Sequence, residues 1–138
     1  MTKITILCFI SFLLTACFSV ETDQPKKAWK YWSGSEPPEN VQMIKGEYYQ
    51  SPHFTLEYEL FLKFKTNKKW LDEFITYNNL TIDTIGNDWA RRTALPNWFK
   101  PDRSFVKYSS DPADNFERSR YFFNPNNGEA YIFETVGM

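Results

Sequence analysis

The chain has 138 residues, with 16 basic and 17 acidic side chains and a formal charge of −1 at pH 7. This length suits a single domain with one core, and the near-neutral charge lacks the basic surface that DNA or RNA binding requires. We therefore expect no nucleic acid partner. The sequence has one histidine and two cysteines, whereas zinc and copper prefer clusters of these ligands. We expect no metal site and no cofactor.

The chain begins like an export signal. Lys3 precedes an almost entirely apolar run over residues 4–14, which is too short to span a bilayer comfortably. A positive residue followed by a short apolar run is typical of a secretion signal and not of a transmembrane helix. The run ends in Leu14-Thr15-Ala16-Cys17.

The ending Leu14-Thr15-Ala16-Cys17 resembles the lipobox of bacterial lipoproteins, over the first seventeen residues only. The resemblance implies cleavage before Cys17, a diacylglycerol on its sulfur, a further acyl chain such as palmitate on its amine, and anchoring in the cell envelope. The alternative is an ordinary signal peptide, which would leave Cys17 as an odd thiol because Cys8 is removed with the signal.

The residue after Cys17 bears on the choice of membrane. In lipoproteins of bacteria with two membranes, an aspartate at this position commonly signals retention in the inner membrane. This chain has Phe18 there. The resemblance therefore favours the outer membrane, facing the periplasm.

The sequence divides into a signal peptide over residues 1–16, a lipidated N-terminus and tether over 17–40, and a single globular domain over 41–138. The tether is predicted because this stretch is rich in Lys, Glu, Ser and Pro. No family resemblance is found for the domain, so its function has to be argued from its residues.

Within the predicted tether, cations alternate with large rings. Such a mixture suits a lipid headgroup layer, because the cations meet anionic phosphates and the rings settle at the polar boundary. The alternative is a short extended segment that packs its aromatic face on the core. The residues predicted to lie near the membrane are Lys26, Lys27, Trp29, Lys30 and Trp32.

The clearest pattern in the domain covers residues 54–64, where apolar side chains occupy every second position and only Phe61 interrupts the polar positions. This alternation predicts a long, half-buried strand at the centre of a sheet. A preceding strand is predicted over 41–49. A helix is predicted over 68–78, because apolar residues recur there at helical spacing behind a capping residue.

The last third of the chain predicts further strands over 104–108, 120–124 and 130–136. The last two are joined by Pro125-Asn126-Asn127-Gly128, and Asn-Gly is a strong signal for a hairpin. The predicted fold is α+β, with an antiparallel sheet of about five strands and one main helix packed on one face, which gives a two-layer sandwich.

A partner-binding segment is predicted between the helix and the last strands. Tryptophan and arginine are enriched at interface hot spots, and prolines keep this segment irregular. The alternative is that the rings close one end of the core. The predicted partner-binding residues are Trp89, Arg91, Arg92, Trp98 and Phe99.

Catalysis has few candidate groups. Ser51 and His53 lie too close in sequence to indicate a dyad. Glu57 and Glu59 share a strand face, which could place two carboxylates at the separation that glycoside hydrolysis uses. The sequence therefore favours a non-catalytic envelope lipoprotein that binds a protein partner or a cell-wall component, with an immunity or inhibitor role included. The alternative is a small envelope hydrolase using carboxylates.

Replacing Cys17 tests the anchor. Cys17→Ser should abolish lipidation and alter processing, because the lipid is attached through the cysteine sulfur. Mass spectrometry of the mature N-terminus in the native host measures this directly. An unmodified Cys17 in the wild-type protein would contradict the prediction.

Overall fold

The computed structural model describes residues 18–52, 56–84, 94–111 and 119–137. Within these ranges the chain is α+β, with two helices and one antiparallel sheet. The helices are α1 (Pro25–Ser33) and α2 (Lys68–Tyr77). The strands are β1 (Val20–Thr22), β2 (Gln42–Gln50), β3 (Tyr58–Lys65), β4 (Thr81–Ile82), β5 (Val106–Ser109), β6 (Arg120–Phe123) and β7 (Glu129–Val136).

The sheet has seven strands in the order β1-β2-β3-β7-β6-β5-β4. The predicted α+β class and antiparallel sheet are confirmed. The prediction of about five strands and one main helix is wrong, because β1 and β4 are too short to show a strand pattern and the composition of α1 resembles that of a linker. The long alternating strand is β3, which lies inside the sheet but not at its centre, a position that β7 occupies.

Apolar side chains cover both faces of the central strands. Leu60, Leu62 and Phe64 point to the face that carries the helices, where they join Ile132 of β7. The opposite face holds a second cluster, whose buried members are Phe61, Phe99, Phe122, Tyr131 and Phe133. Phe61 therefore does not interrupt a solvated face, since it forms part of this second core.

Helix α1 shows that the tether predicted over residues 17–40 is wrong for much of its length. Residues 20–33 belong to the folded domain, because β1 pairs with β2 and α1 packs on the sheet. A Cβ on Gly46 would lie 2.9 Å from Pro25 Cα and 3.2 Å from Ala28 Cβ. The missing side chain at Gly46 thus allows close contact between α1 and β2.

Helix α2 confirms the helix predicted over 68–78. The Asn67 side chain accepts a hydrogen bond from the Trp70 N–H at 2.9 Å, which satisfies one of the amides left open at a helix start. Phe74 and Trp70 stack with their ring centroids 5.1 Å apart. Both rings pack against the buried cluster of the helix face.

The predicted hairpin between β6 and β7 is also confirmed. Gly128 has φ of +74° and its carbonyl accepts a hydrogen bond from the Thr66 N–H at 2.9 Å. A Cβ on Gly128 would lie only 2.0 Å from the Thr66 carbonyl oxygen. The turn therefore joins the hairpin to the segment that leads into α2.

Two glycines with left-handed backbones provide a matched test. Gly34 has φ of +76° and a Cβ there would meet nothing within 4 Å. Gly34→Ala should cost about 1–2 kcal/mol of unfolding free energy through backbone strain alone. Gly128→Ala adds the clash with Thr66 and should cost about 2–5 kcal/mol. Chemical denaturation measures both, and equal losses would contradict the close contact at Gly128.

Candidate functional site

The pairing of β1 with β2 builds an open cleft on the face opposite the helices. In the register of the sheet, Glu21 lies beside Tyr49 and Tyr49 lies beside Glu59. Side chains on one face of a sheet repeat every second residue, so Glu47 and Phe61 follow one step along. We call this opening the acidic cleft. It has a volume of about 380 Å³ and is lined by Glu21, Thr22, Asp23, Glu47, Tyr48, Tyr49, Glu59 and Phe61.

Carboxylates and aromatic rings share this lining. Glu21 and Asp23 are exposed and belong to the edge of the sheet, whereas Phe61 is buried in the second core. Tyr49 is 39% exposed. The cleft thus combines an apolar floor with a negatively charged rim.

One acidic side chain in the cleft is held in place by the segment that covers the second core. The Trp98 indole N–H donates a hydrogen bond to Glu47 Oε1 at 2.7 Å. A hydrogen bond to a carboxylate is stronger than one between neutral groups, so Glu47 has a fixed orientation. Lys63 lies farther along the same face, with its Nζ 5.0 Å from the centre of the Tyr131 ring. Positive charge therefore begins four residues beyond Glu59 along β3.

The arrangement suits binding of a positively charged side chain. Among the described residues, no group of three or more His, Cys, Asp or Glu side chains is placed to hold a metal ion. The carboxylates instead surround an aromatic surface, which can accept the alkyl stem of a lysine or arginine while the rim pairs with its charge.

A second polar cluster lies on the helix face around Glu134. Its Oε1 accepts hydrogen bonds from the Trp32 indole N–H at 3.1 Å and from the Tyr58 hydroxyl, and its Oε2 accepts one from the Tyr121 hydroxyl at 3.0 Å. These donors come from α1, β3 and β6. Both oxygens are occupied, so the carboxylate ties three elements together and is poorly placed to act on a substrate.

Burial raises the pKa of the Tyr58 hydroxyl well above its ordinary value, and the hydrogen bond to Glu134 adds to this effect. The Tyr58 ring also stacks on Tyr48 at 5.6 Å, and Tyr48 stacks on Tyr31 at 5.5 Å. The three rings form a ladder from α1 to β3. The ladder explains how Tyr58 is held against Glu134.

A third polar cluster lies near the far edge of the sheet. The Asp83 carboxylate is fully buried, with Arg120 Nε at 2.8 Å and Lys107 Nζ at 3.4 Å from its Oδ2. The Asp83 N–H donates to the Lys107 carbonyl at 2.8 Å. These contacts fix the chain after β4 against β5 and β6, so the cluster has a structural role.

The predicted partner-binding segment is only partly described. Phe99 is 2% exposed, and its ring centroid lies 5.2 Å from that of Tyr131 and 5.4 Å from that of Phe61. The prediction that Phe99 contacts a partner is therefore wrong, because its ring is buried in the second core. Trp98 is partly buried and donates its hydrogen bond to Glu47. The predicted residues Trp89, Arg91 and Arg92 lie outside the described residues.

The residues predicted to lie near the membrane separate into two groups on α1. Lys26, Lys27 and Lys30 are exposed, and Lys30 Nζ forms an ion pair with Glu36 at 2.7 Å. Trp29 is 3% exposed and packs in the helix-face core. The prediction that it contacts lipid headgroups is therefore wrong. Trp32 is partly buried and bonded to Glu134. The predicted lipidation site, Cys17, lies outside the described residues.

Sequence reasoning missed the acidic cleft. Glu21 and Asp23 fell within the predicted tether, and β1 is too short to show a strand pattern. Glu47 and Tyr49 on β2, with Glu59 and Phe61 on β3, do alternate at strand spacing. Recognition that these positions share one sheet face would have found half of the cleft.

The stability of the protein at high pH tests the Tyr58 contact. A tyrosine whose pKa is raised by folding stabilises the fold fully below the unfolded value of about 10, and this contribution is lost as pH rises toward the folded value. The unfolding free energy should therefore fall above pH 10, and Tyr58→Phe should flatten that fall. Denaturation midpoints between pH 8 and 11 measure it, with Tyr77→Phe on an exposed ring as control. An unchanged slope in Tyr58→Phe would contradict the contact.

Comparison with known proteins identifies no relative. No protein-family model matches the chain, and no curated protein or solved structure is significantly similar to it.

Proposed function

We propose that this chain is a non-catalytic lipoprotein of the bacterial cell envelope, anchored through lipid on Cys17. In this proposal it faces the periplasm from the outer membrane and binds a protein partner through the acidic cleft. The partner presents a segment rich in lysine or arginine. A role as an immunity protein or inhibitor is one form of this function.

The anchoring part of the proposal is supported by the lipobox resemblance at Leu14-Thr15-Ala16-Cys17. No helix in the described ranges is long and apolar enough to cross a membrane. Two or more acyl chains bind a membrane stably, whereas one chain binds it marginally. Lipid on both the sulfur and the amine of Cys17 therefore supplies a sufficient attachment.

The observation that carries the binding part is the acidic cleft itself. Ligand sites are typically concave and apolar, with a few polar groups that fix the orientation of the ligand. The cleft has Phe61 and Tyr49 as its apolar surface and Glu21, Asp23 and Glu59 around them. This chemistry selects a positively charged side chain with an apolar stem.

The hydrolase alternative receives less support from the geometry. The pair predicted from the sequence was Glu57 and Glu59, but only Glu59 lines the cleft. Glu57 accepts a hydrogen bond from the Ser51 hydroxyl at 3.1 Å, which holds it in the turn before β3. A cell-wall ligand remains the alternative to a protein partner, and it too requires positive charge to match the rim.

A defined peptide tests the cleft. The intact lipidated protein in detergent should bind a fluorescent oligolysine peptide, with affinity that falls as salt is raised, and should not bind an oligoglutamate of equal length. Glu21→Gln with Asp23→Asn should weaken binding about two- to thirtyfold, because each exposed ion pair contributes about 0.2–1 kcal/mol. Fluorescence anisotropy gives the dissociation constants.

The matched control changes the same net charge elsewhere. Asp72→Asn with Glu73→Gln neutralises two exposed carboxylates on α2, which pair with Lys68 and Lys69 on their own helix. This control should retain wild-type affinity for oligolysine. Equal weakening by both double variants would show general charge attraction and contradict binding in the cleft.

A further inference from the structure

The start of β1 lies very close to the proposed anchor. Cys17 is followed by only Phe18 and Ser19 before β1 begins at Val20. A chain advances at most about 3.6 Å per residue, so Val20 is held within about 11 Å of Cys17. A lipidated Cys17 therefore leaves the domain almost no freedom to move away from the bilayer.

Four neighbouring strands begin or end beside Val20. The register joins Val20 to Gln50, Gln50 to Tyr58, and Tyr58 to Val136. Adjacent strands are about 4.8 Å apart, so this row is about 14 Å wide. The end of the sheet formed by β1, β2, β3 and β7 is thus the part of the domain nearest to Cys17. We call it the anchor end.

The anchor end carries exposed apolar side chains. Phe18 is 77% exposed, Leu56 is 59% exposed and Val136 is 38% exposed. Gly137 follows Val136, and a Cβ there would lie 3.4 Å from the Leu56 carbonyl oxygen, so Leu56 and the end of β7 are neighbours. Single exposed apolar residues are common, but these three lie at the end of the sheet that the anchor holds.

We propose that the anchor end rests on the bilayer, with Phe18, Leu56 and Val136 in contact with its headgroup region. This inference rests on the proposed lipidation of Cys17. The short chain between Cys17 and Val20 sets the distance, and the apolar side chains favour contact with the lipid over water. The domain then has one fixed orientation on the membrane, with the sheet standing on the ends of its strands.

The proposed orientation also determines how far the acidic cleft lies from the membrane. The row of Glu21, Tyr49 and Glu59 lies one residue inward from the row of Val20, which is about 3.3 Å along the strands. The cleft therefore opens close to the lipid surface. A basic segment that binds there must itself lie beside the membrane.

Site-directed labelling tests the orientation. Cys8 is removed with the signal and the Cys17 sulfur carries lipid, so a cysteine placed in the domain is the only free thiol of the mature chain. A nitroxide label attached to the thiol of Leu56→Cys lies at the anchor end. Ile44→Cys is the matched control, because Ile44 is also exposed and lies on β2 toward the other end of the sheet, about 20 Å from Gln50.

The full lipidated protein is reconstituted in vesicles of phosphatidylethanolamine and phosphatidylglycerol. Collision rates with oxygen and with a water-soluble nickel chelate then report the environment of each label. The label at position 56 should favour oxygen over nickel at least several-fold more than the label at position 44. In detergent-free solution, forms of both variants made without residues 1–16 and with Cys17→Ser should show equal, water-like ratios.

The outcomes separate the two proposals. Lipid on Cys17 with equal nickel accessibility at positions 56 and 44 overturns the orientation and leaves the anchor intact. Mass spectrometry that finds Cys17 unmodified overturns both. Val136→Cys gives a second position at the anchor end, where the same preference for oxygen is expected, and a water-exposed label there also overturns the orientation.

Discussion

The two-sided burial of the β3–β7 pair is the constraint on which the rest of the structure depends. Phe61 and Phe133 are register partners whose rings stack with centroids 5.1 Å apart on one face, and the next partners, Leu62 and Ile132, are fully buried on the other. Each such side chain contributes about 1.5–3 kcal/mol only when it is fully covered. Both faces therefore need a covering layer. The helices supply one, and the segment around Trp98 and Phe99 supplies the other.

The fold could be predicted from the sequence where its pattern is local. The alternation leading into β3, the cap and apolar spacing of α2, and the Asn-Gly turn before β7 each depend on neighbours in the chain. Helix α1 was missed because its lysines and proline resemble a linker, although Ala28, Trp29 and Trp32 have the spacing of one helix face. The strands β1 and β4 have three and two residues, and no sequence pattern is resolved at such lengths.

The candidate site was harder to predict, because the pairing of strands brings its residues together and no sequence motif contains them. Glu21 meets Tyr49 only when β1 adds to the edge of β2, and the second core that underlies Phe61 requires Phe99 from far along the chain. Composition indicated an excess of rings, but it could not show which of them are buried. Trp29 and Phe99 were assigned to surfaces because tryptophan and phenylalanine serve cores and interfaces equally well. The lysines of α1 are exposed, since a charge without a buried partner stays in water.

The short outer strands have a further consequence for a protein held on a surface, where copies meet at high local density. A bare sheet edge can pair with the edge of another molecule and start aggregation. Here β1 pairs with only Tyr48–Gln50 of β2. The rest of β2 contains an irregularity in its pairing with β3 between Met43 and Lys45, and such an irregularity bends the strand. At the opposite edge, β4 offers just two residues, Thr81 and Ile82. In the part of the chain that the structure describes, neither edge presents a long, regular row of backbone groups, so crowded copies have little template there for joining their sheets.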